Sequence, residues 1–193
     1  MIQPEKLFST PLWHIKAEDG DKKSIDELYE WVLDYQDDEG VTKSNRGGWQ
    51  SSDSDNFDAI PHIDLLKKKL YQLGCSLKLQ NWWVNVNKKG DYNERHTHPG
   101  SDLSLVWYFT DNNNSIQLFN QLNHTRHTLP QSLHLDFNFN NVYNWECAAG
   151  DILIFPADVP HQVNTHNEDN LRICLAANLQ IVHDNVLGIW EIT

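Results

Sequence analysis

From residue 77 onward the apolar residues of this chain recur every second position, in short runs separated by turn formers. The runs cover residues 77–87, 103–110, 115–119, 133–139, 151–155, 161–165 and 171–182. A strand with one apolar face has to bury it against another sheet, and roughly eight short strands in one chain point to a sandwich or barrel. The expected architecture is a closed or nearly closed double-stranded β-helix, the jelly roll, with helices packed on one sheet. Asp111 to Asn114 reads as a hairpin connection, and Ala148 to Gly150 feeds the next strand through a glycine able to take a positive φ.

The first 75 residues supply the helices. Residues 6–15 form a short strand that Pro11 confines to a sheet edge. Ser24 and Glu27 have capping-box spacing, and Ile25, Leu28, Val32 and Tyr35 follow at helical intervals, which predicts a helix over 24–37. Residues 40–58 form a polar loop whose Trp49 packs back onto the body. After Pro61, a second helix carries Ile63, Leu66, Leu70 and Leu73 and stops at Gly74. The expected organisation is one domain over residues 1–193, with helical support and a first strand to 75, the β-helix from 76 to 183, and a tail from 184 to 193.

Charge and cysteine content restrict function. A formal net charge of −12 leaves no basic face for tracking phosphates, so no nucleic acid is expected as partner. Cys75, Cys147 and Cys174 are odd in number and match no zinc pattern, so they read as reduced thiols in a cytoplasmic protein. The amino terminus lacks the apolar run of a signal peptide, and no stretch reaches the ~18 apolar residues of a membrane span. A homodimer is compatible with the sequence.

Chemistry concentrates in two segments, Gly90 to Gly100 and Gly150 to His161. His96 and His98, at i and i+2, share one side of an extended segment, and His161 at the head of a later strand can close a triangle around one metal ion. An isolated His-Thr-His could equally be solvated loop; the second segment, with its glycine, apolar strand, Pro156 and His161, favours the metal.

Those segments, as Gly90-x5-His96-x-His98-x3-Asp102 and Gly150-x5-Pro156-x-Asp158-x2-His161, resemble the two motifs of the cupin superfamily. They depart from it at Asp102, where the pattern has Glu, and at Asp158, where it has Gly. A closer resemblance is to the iron(II)- and 2-oxoglutarate-dependent oxygenases, specifically a family found in bacteria and tailed phages. It is carried by Trp83-Val-Asn85, Gly90, the run from His96 through Ser104 to Tyr108, the segment Gly150 to His161, Arg172 and Asn178. Leu7 to Trp13 extends it to most of the chain. The resemblance implies ferrous iron, 2-oxoglutarate as cosubstrate, and hydroxylation of a C–H bond with release of succinate and CO2. The cupin resemblance implies instead a metal enzyme without 2-oxoglutarate, and a metal-free jelly-roll binding module is a third reading.

Arg172 weighs toward 2-oxoglutarate. A planar guanidinium takes a carboxylate through two hydrogen bonds, and Ile173, Leu175, Ala176 and Ala177 mark its strand as buried, where an arginine needs an anionic partner. The expected ligands are His96, His98 and His161. Asp102 is the alternative oxygen ligand, an acceptor for an imidazole N–H, or a turn residue. Asn85, which shares a strand face with Asn87, and Ser104 and Tyr108, which share a parity, are expected to assist cosubstrate binding if those faces line the lumen. Trp49, Trp82 and Trp145 are candidates for a substrate mouth. His124, His127, His134, His166 and His183 have no ligand partners at suitable spacing and are discounted. The substrate is expected to be a small molecule or a peptidyl side chain.

Overall fold

The computed structural model describes residues 10–36, 39–120 and 142–182. In chain order the elements are β1 (Trp13–Ile15), α1 (Lys22–Tyr35), β2 (Asn45–Arg46), β3 (Trp49–Gln50), α2 (Ile63–Leu70), β4 (Leu77–Asn87), β5 (Tyr92–His96), β6 (Leu103–Tyr108), β7 (Asn112–Phe119), β8 (Val142–Cys147), β9 (Ile152–Pro156), β10 (His161–Val163) and β11 (Arg172–Ile181). They form two antiparallel sheets, one ordered β1-β9-β6-β11-β4-β3 and the other β2-β5-β10-β7-β8. Successive strands β6, β7, β9, β10 and β11 alternate between the sheets, which is the jelly roll that the period-two runs predict.

The pleat explains how the larger sheet serves two cores at once, because neighbouring side chains on a strand point to opposite faces. On its outer face Trp82, Val84, Leu105, Trp107, Ile154, Ile173 and Leu175 meet Ile25, Leu28 and Val32 of α1 and Leu66 and Leu70 of α2. On its inner face Tyr108, Leu153 and Phe155 meet Ile116, Leu118 and Cys147 of the smaller sheet. The remaining inner positions leave a cavity, described below.

Several local expectations need correction. Helix α1 starts at Lys22, after a 3-10 turn over Asp19–Asp21, and the Glu18 N–H donates to the Asp21 carboxylate at 2.8 Å, so Ser24 is inside the helix and caps nothing. Asp21 is held there because its carboxylate meets Lys69 Nζ at 2.6 Å beneath the helices, both side chains being buried. Burial pushes the Asp21 carboxyl up, but hydrogen bonds from Lys69 and the Glu18 N–H, with the lysine charge, outweigh it and hold it below the usual range. Asp21→Ala is expected to cost about 3–5 kcal/mol by stranding a buried ammonium. Asp21→Leu with Lys69→Met should recover most of that in urea denaturation; a single variant as stable as the parent would show that the pair is solvated.

Asn112 to Asn114 are strand, not hairpin: β6 and β7 belong to different sheets, so the chain crosses between layers there. The polar segment 92–96 is also strand, pairing with β2 and β10. The expected loop 40–58 contains β2 and β3, which join opposite sheets across Gly47 and Gly48, both at positive φ. Helix α2 is continued by a 3-10 turn, Tyr71–Leu73, that ends at Gly74 with φ +66°, as expected. The predicted strand 133–139, residues 6–9 of the first strand, and the tail 184–193 lie outside the described residues.

Gly150 has φ +92°, and a Cβ built on it would lie 2.7 Å from Ala17 Cβ and 3.2 Å from Ile25 Cγ1. Gly150→Ala is therefore expected to destabilise the fold by about 2–3 kcal/mol through backbone strain and overpacking. A shift of the urea midpoint at unchanged m-value would register it; no shift would mean that α1 is free to move off the sheet. Among the described residues no helix is long and apolar enough to cross a membrane.

Candidate metal centre

The doublet His96 and His98 leaves the end of β5, and His161 opens β10, the strand paired beside it with His161 directly opposite His96. This pairing brings the three imidazoles together: one nitrogen of each lies within 4.8 Å of the others. The His98 and His161 Nε2 atoms are 3.2 Å apart, and the His96 and His161 ring centres 4.3 Å. Backbone carbonyls orient two of the rings. His96 Nδ1–H donates to the Glu94 carbonyl at 2.6 Å and His161 Nδ1–H to the Val159 carbonyl at 2.9 Å, so each neutral ring turns an unprotonated Nε2 inward. His98 is held by stacking on Trp83, with ring centres 5.4 Å apart.

Burial sets the charge of this cluster. Desolvation lowers all three imidazole pKa values, to about 4 for His98, where the neighbouring His96 adds to it, and to about 3 for His161. Three neutral imidazoles with converging lone pairs are a donor set that first-row divalent iron accepts. Asp102 is not among them. Its carboxylate accepts the Ile181 N–H at 2.8 Å and so ties the β6 approach to the end of β11, which makes it a turn residue and corrects its place as an alternative ligand.

The histidines open onto a cavity of roughly 310 Å3 between the sheets. The register of β4, β11 and β6 arranges its wall in rows: Asn178 and Ser104, with Asn81 paired beside Asn178 but outside the lining; Trp83, Ala176 and Val106; Asn85, Cys174 and Tyr108; Asn87 and Arg172. Phe155 continues the first row and meets the His161 ring at 4.8 Å, so the histidines sit over the first two rows. Arg172 lies four to six residues away along β11, roughly 13–20 Å of strand.

Arg172 is 3% exposed. Its Nη1 donates to the Asn164 carbonyl at 2.9 Å, while Nη2 is buried with no hydrogen-bond partner among the described residues. A buried guanidinium with an unmet donor fits a carboxylate brought by a ligand. Asn85 lines the cavity and its amide contacts Cys174 Sγ at 3.9 Å. Tyr108 lines it one row from Arg172, with its hydroxyl bonded to the Cys147 thiol. Ser104 lines it too, but at the histidine end, six residues of register from Arg172, and so is placed away from the inner carboxylate it was expected to meet.

Two further expectations, Trp82 and Trp49, fail on strand parity. Trp82 faces the helices and is fully buried, and Trp49 packs on that same outer core, with Tyr35 edge-on at 6.4 Å. Trp145 meets His14 at 5.6 Å, away from the cavity. The tryptophan at the site is Trp83, on the Asn85 side of β4, and parity alone would have selected it. Lys43 and Asp53, which line the open end, carried no sequence signal. His166 bonds the Asn170 carbonyl at 2.8 Å within the β10–β11 loop, and its backbone pairs with Gly90 and Asp91 of the loop before β5. His124, His127, His134 and His183 lie outside the described residues.

Comparison with known proteins agrees with this geometry. Among solved structures, the alpha-ketoglutarate-dependent epimerase SnoN of nogalamycin biosynthesis superposes with a TM-score of 0.66 at 12% identity, covering 89% of this chain and 78% of its own. HygX from Streptomyces hygroscopicus, solved with nickel, 2-oxoglutarate and hygromycin B, gives 0.59 at 13%, covering 89% and 83%. A prolyl-4-hydroxylase from Pseudomonas putida gives 0.56 at 14%, covering 89% and 93%. No curated protein matches in sequence. These likenesses establish the fold. The family is established by the sequence model described as "Putative 2OG-Fe(II) oxygenase", which matches residues 81–178, just over half of the chain and the stretch from the first cavity row of β4 to that of β11. With its histidine cluster and its buried, half-paired arginine, the chain belongs to this family of iron- and 2-oxoglutarate-dependent oxygenases.

Proposed function

We propose that the protein uses dioxygen to hydroxylate a C–H bond of a small-molecule or peptidyl substrate while converting 2-oxoglutarate to succinate and CO2, one oxygen atom going to the substrate and the other to succinate. His96, His98 and His161 hold the iron, and Arg172 takes the far carboxylate of 2-oxoglutarate. One observation carries this reading: an incompletely paired buried guanidinium shares a single cavity with three converging imidazoles. When bound, iron with 2-oxoglutarate supplies the oxidising power for attack on an unactivated C–H bond.

The chain's own residues then have separate tasks. The carbonyls of Glu94 and Val159 fix the tautomers of His96 and His161, and Trp83 fixes the plane of His98. Arg172 neutralises a carboxylate at the closed end, where Asn85 adds an amide and Tyr108 an apolar wall, and this sets which end of the cosubstrate faces the metal. The open end by Lys43 and Asp53 is left for the substrate. Three cysteines without a disulfide support a reducing, cytoplasmic setting, and the net charge of −12 favours a substrate other than nucleic acid.

Anaerobic titration with ferrous iron and then 2-oxoglutarate tests the reading. A visible charge-transfer band of the chelate is expected, followed on admission of oxygen by succinate in step with consumed 2-oxoglutarate. Iron binding with no band would favour a metal enzyme without this cosubstrate, and no iron binding would sink both. A product one oxygen atom heavier than its substrate would separate hydroxylation from the epimerising outcome named for SnoN.

A further inference from the structure

The open end of the cavity holds a chain of polar side chains that neither iron nor 2-oxoglutarate accounts for. It starts at the surface, where Lys43 Nζ meets both Asp53 carboxylate oxygens at 2.7 Å. Asn81 Nδ2 donates to Asp53 Oδ2 at 3.2 Å, and Asn178 Nδ2 donates to Asn81 Oδ1 at 2.9 Å. The chain then stops, because Asn178 Oδ1 is buried and has no hydrogen-bond partner among the described residues. Ser104, directly opposite Asn178 in the register and 3% exposed, has a buried hydroxyl that also lacks a partner among the described residues.

The orientation of both amides follows from the carboxylate. Ionised Asp53 only accepts, so Asn81 must turn its NH2 toward it and its oxygen toward Asn178. Asn178 must then answer with its own NH2, which leaves its oxygen as the terminal group of the chain. The end of the row is thus an acceptor, and next to it across a strand pair, with Cβ atoms typically ~5 Å apart, is a hydroxyl that can donate. Both residues line the cavity in the row that carries Phe155 against the His161 ring.

We propose that Ser104 and Asn178 form the substrate-recognition subsite and that it takes an uncharged hydroxyl group, placing the carbon that bears it, or the next one, toward the metal. A single hydroxyl answers both orphans: it donates to Asn178 Oδ1 and accepts from Ser104 Oγ–H. A carbonyl satisfies only the serine. An ammonium can donate to Asn178 Oδ1 and to the Ser104 oxygen, but its charge finds no counter-charge, because Lys43 already neutralises Asp53. The substrate class is therefore a neutral alcohol or polyol. This rests on the oxygenase reading of the same cavity.

The test uses three probes of one shape, cyclohexanol, cyclohexanone and cyclohexylammonium, with binding to the full-length protein read by saturation-transfer NMR, alone and with manganese and 2-oxoglutarate. Cyclohexanol is expected to bind the parent at least tenfold more tightly than either analogue. In Asn178→Ala the preference over cyclohexanone should fall to within about threefold, since both probes can then only accept from Ser104, whereas in Ser104→Ala cyclohexanol should bind several-fold more weakly and keep its preference. Asn178→Asp, which puts a carboxylate at the end of the row, should invert it in favour of cyclohexylammonium. Equal binding of the three probes, absence of cyclohexanol binding, or a preference over cyclohexanone that survives Asn178→Ala overturns the subsite. Manganese and 2-oxoglutarate binding are measured in the same samples, so their absence would instead count against the oxygenase reading, since saturation transfer reports the probes without a metal.

Discussion

Arg172→Ala is expected to raise the 2-oxoglutarate concentration for half-saturation by about a hundredfold, with no change in affinity for iron. Truncating one partner of a buried, hydrogen-bonded charge pair costs about 2–5 kcal/mol, and a hundredfold is near the low end of that range. A structural arginine would predict something different. Arg172 is buried with one arm on the Asn164 carbonyl and the other unmet, so without cosubstrate it is a desolvated charge whose pKa burial lowers. Its removal should therefore leave the thermal midpoint of the ligand-free protein level or higher. The parent should gain stability from saturating 2-oxoglutarate, about 2.7 kcal/mol at a hundred times the dissociation constant, and the variant almost none. Arg172→Lys keeps the charge and loses the planar fork, so it should fall between the two. A ligand-free midpoint that drops sharply in Arg172→Ala, with 2-oxoglutarate binding intact, would make the residue a strut for the 164–172 loop and remove the observation on which the proposed function rests.

The parts of this site that could be read in the sequence are those set by local periodicity. Strand β4 runs over Leu77–Asn87, as its alternation predicts, and its parity correctly puts Asn85 and Asn87 on one face. The histidine doublet and His161 were visible because each follows a glycine-led segment, and Arg172 because apolar neighbours marked its strand as buried. Strand β5 was missed because Tyr92–His96 has no apolar alternation: Tyr92, Glu94 and Arg95 are exposed, and the buried position is the polar Asn93. Asp102 could not be judged because its partner is the Ile181 N–H, 79 residues away, and only the tertiary fold brings that group near. The same holds for Ser104. Its parity toward the lumen was legible, but whether it lay at the Arg172 end or the histidine end depended on antiparallel register with β11, which spacing along one strand does not contain. The row from Lys43 to Asn178 was invisible for a further reason, since it joins four segments that carry no common motif.

His161→Ala and His98→Ala should each weaken ferrous iron binding by more than a hundredfold in anaerobic calorimetry, while Asp102→Ala leaves it unchanged. Loss of a residue that merely orients a ligand costs about 10–100-fold, and loss of the ligand itself costs more. The three variants separate the histidine set from the aspartate alternative, because Asp102 is committed to the β11 backbone whereas the three imidazoles converge. Asp102→Ala should fail differently, by loosening the end of β11. pH provides an independent check on the histidines. Burial holds the folded His98 and His161 at about 4 and 3, below the ~6.5 of an unfolded histidine. Between those values the unfolded chain binds more protons than the folded one, so the metal-free protein should lose stability as pH falls below about 6.5 and continue to lose it down to about 3. His161→Gln, which keeps the volume and drops the titrating group, should flatten that slope. Iron affinity should stay nearly level from pH 8 to 6, because the imidazoles are already deprotonated there. An affinity that falls with a midpoint near 6.5 would mean that the rings are solvated and do not form a preassembled metal site.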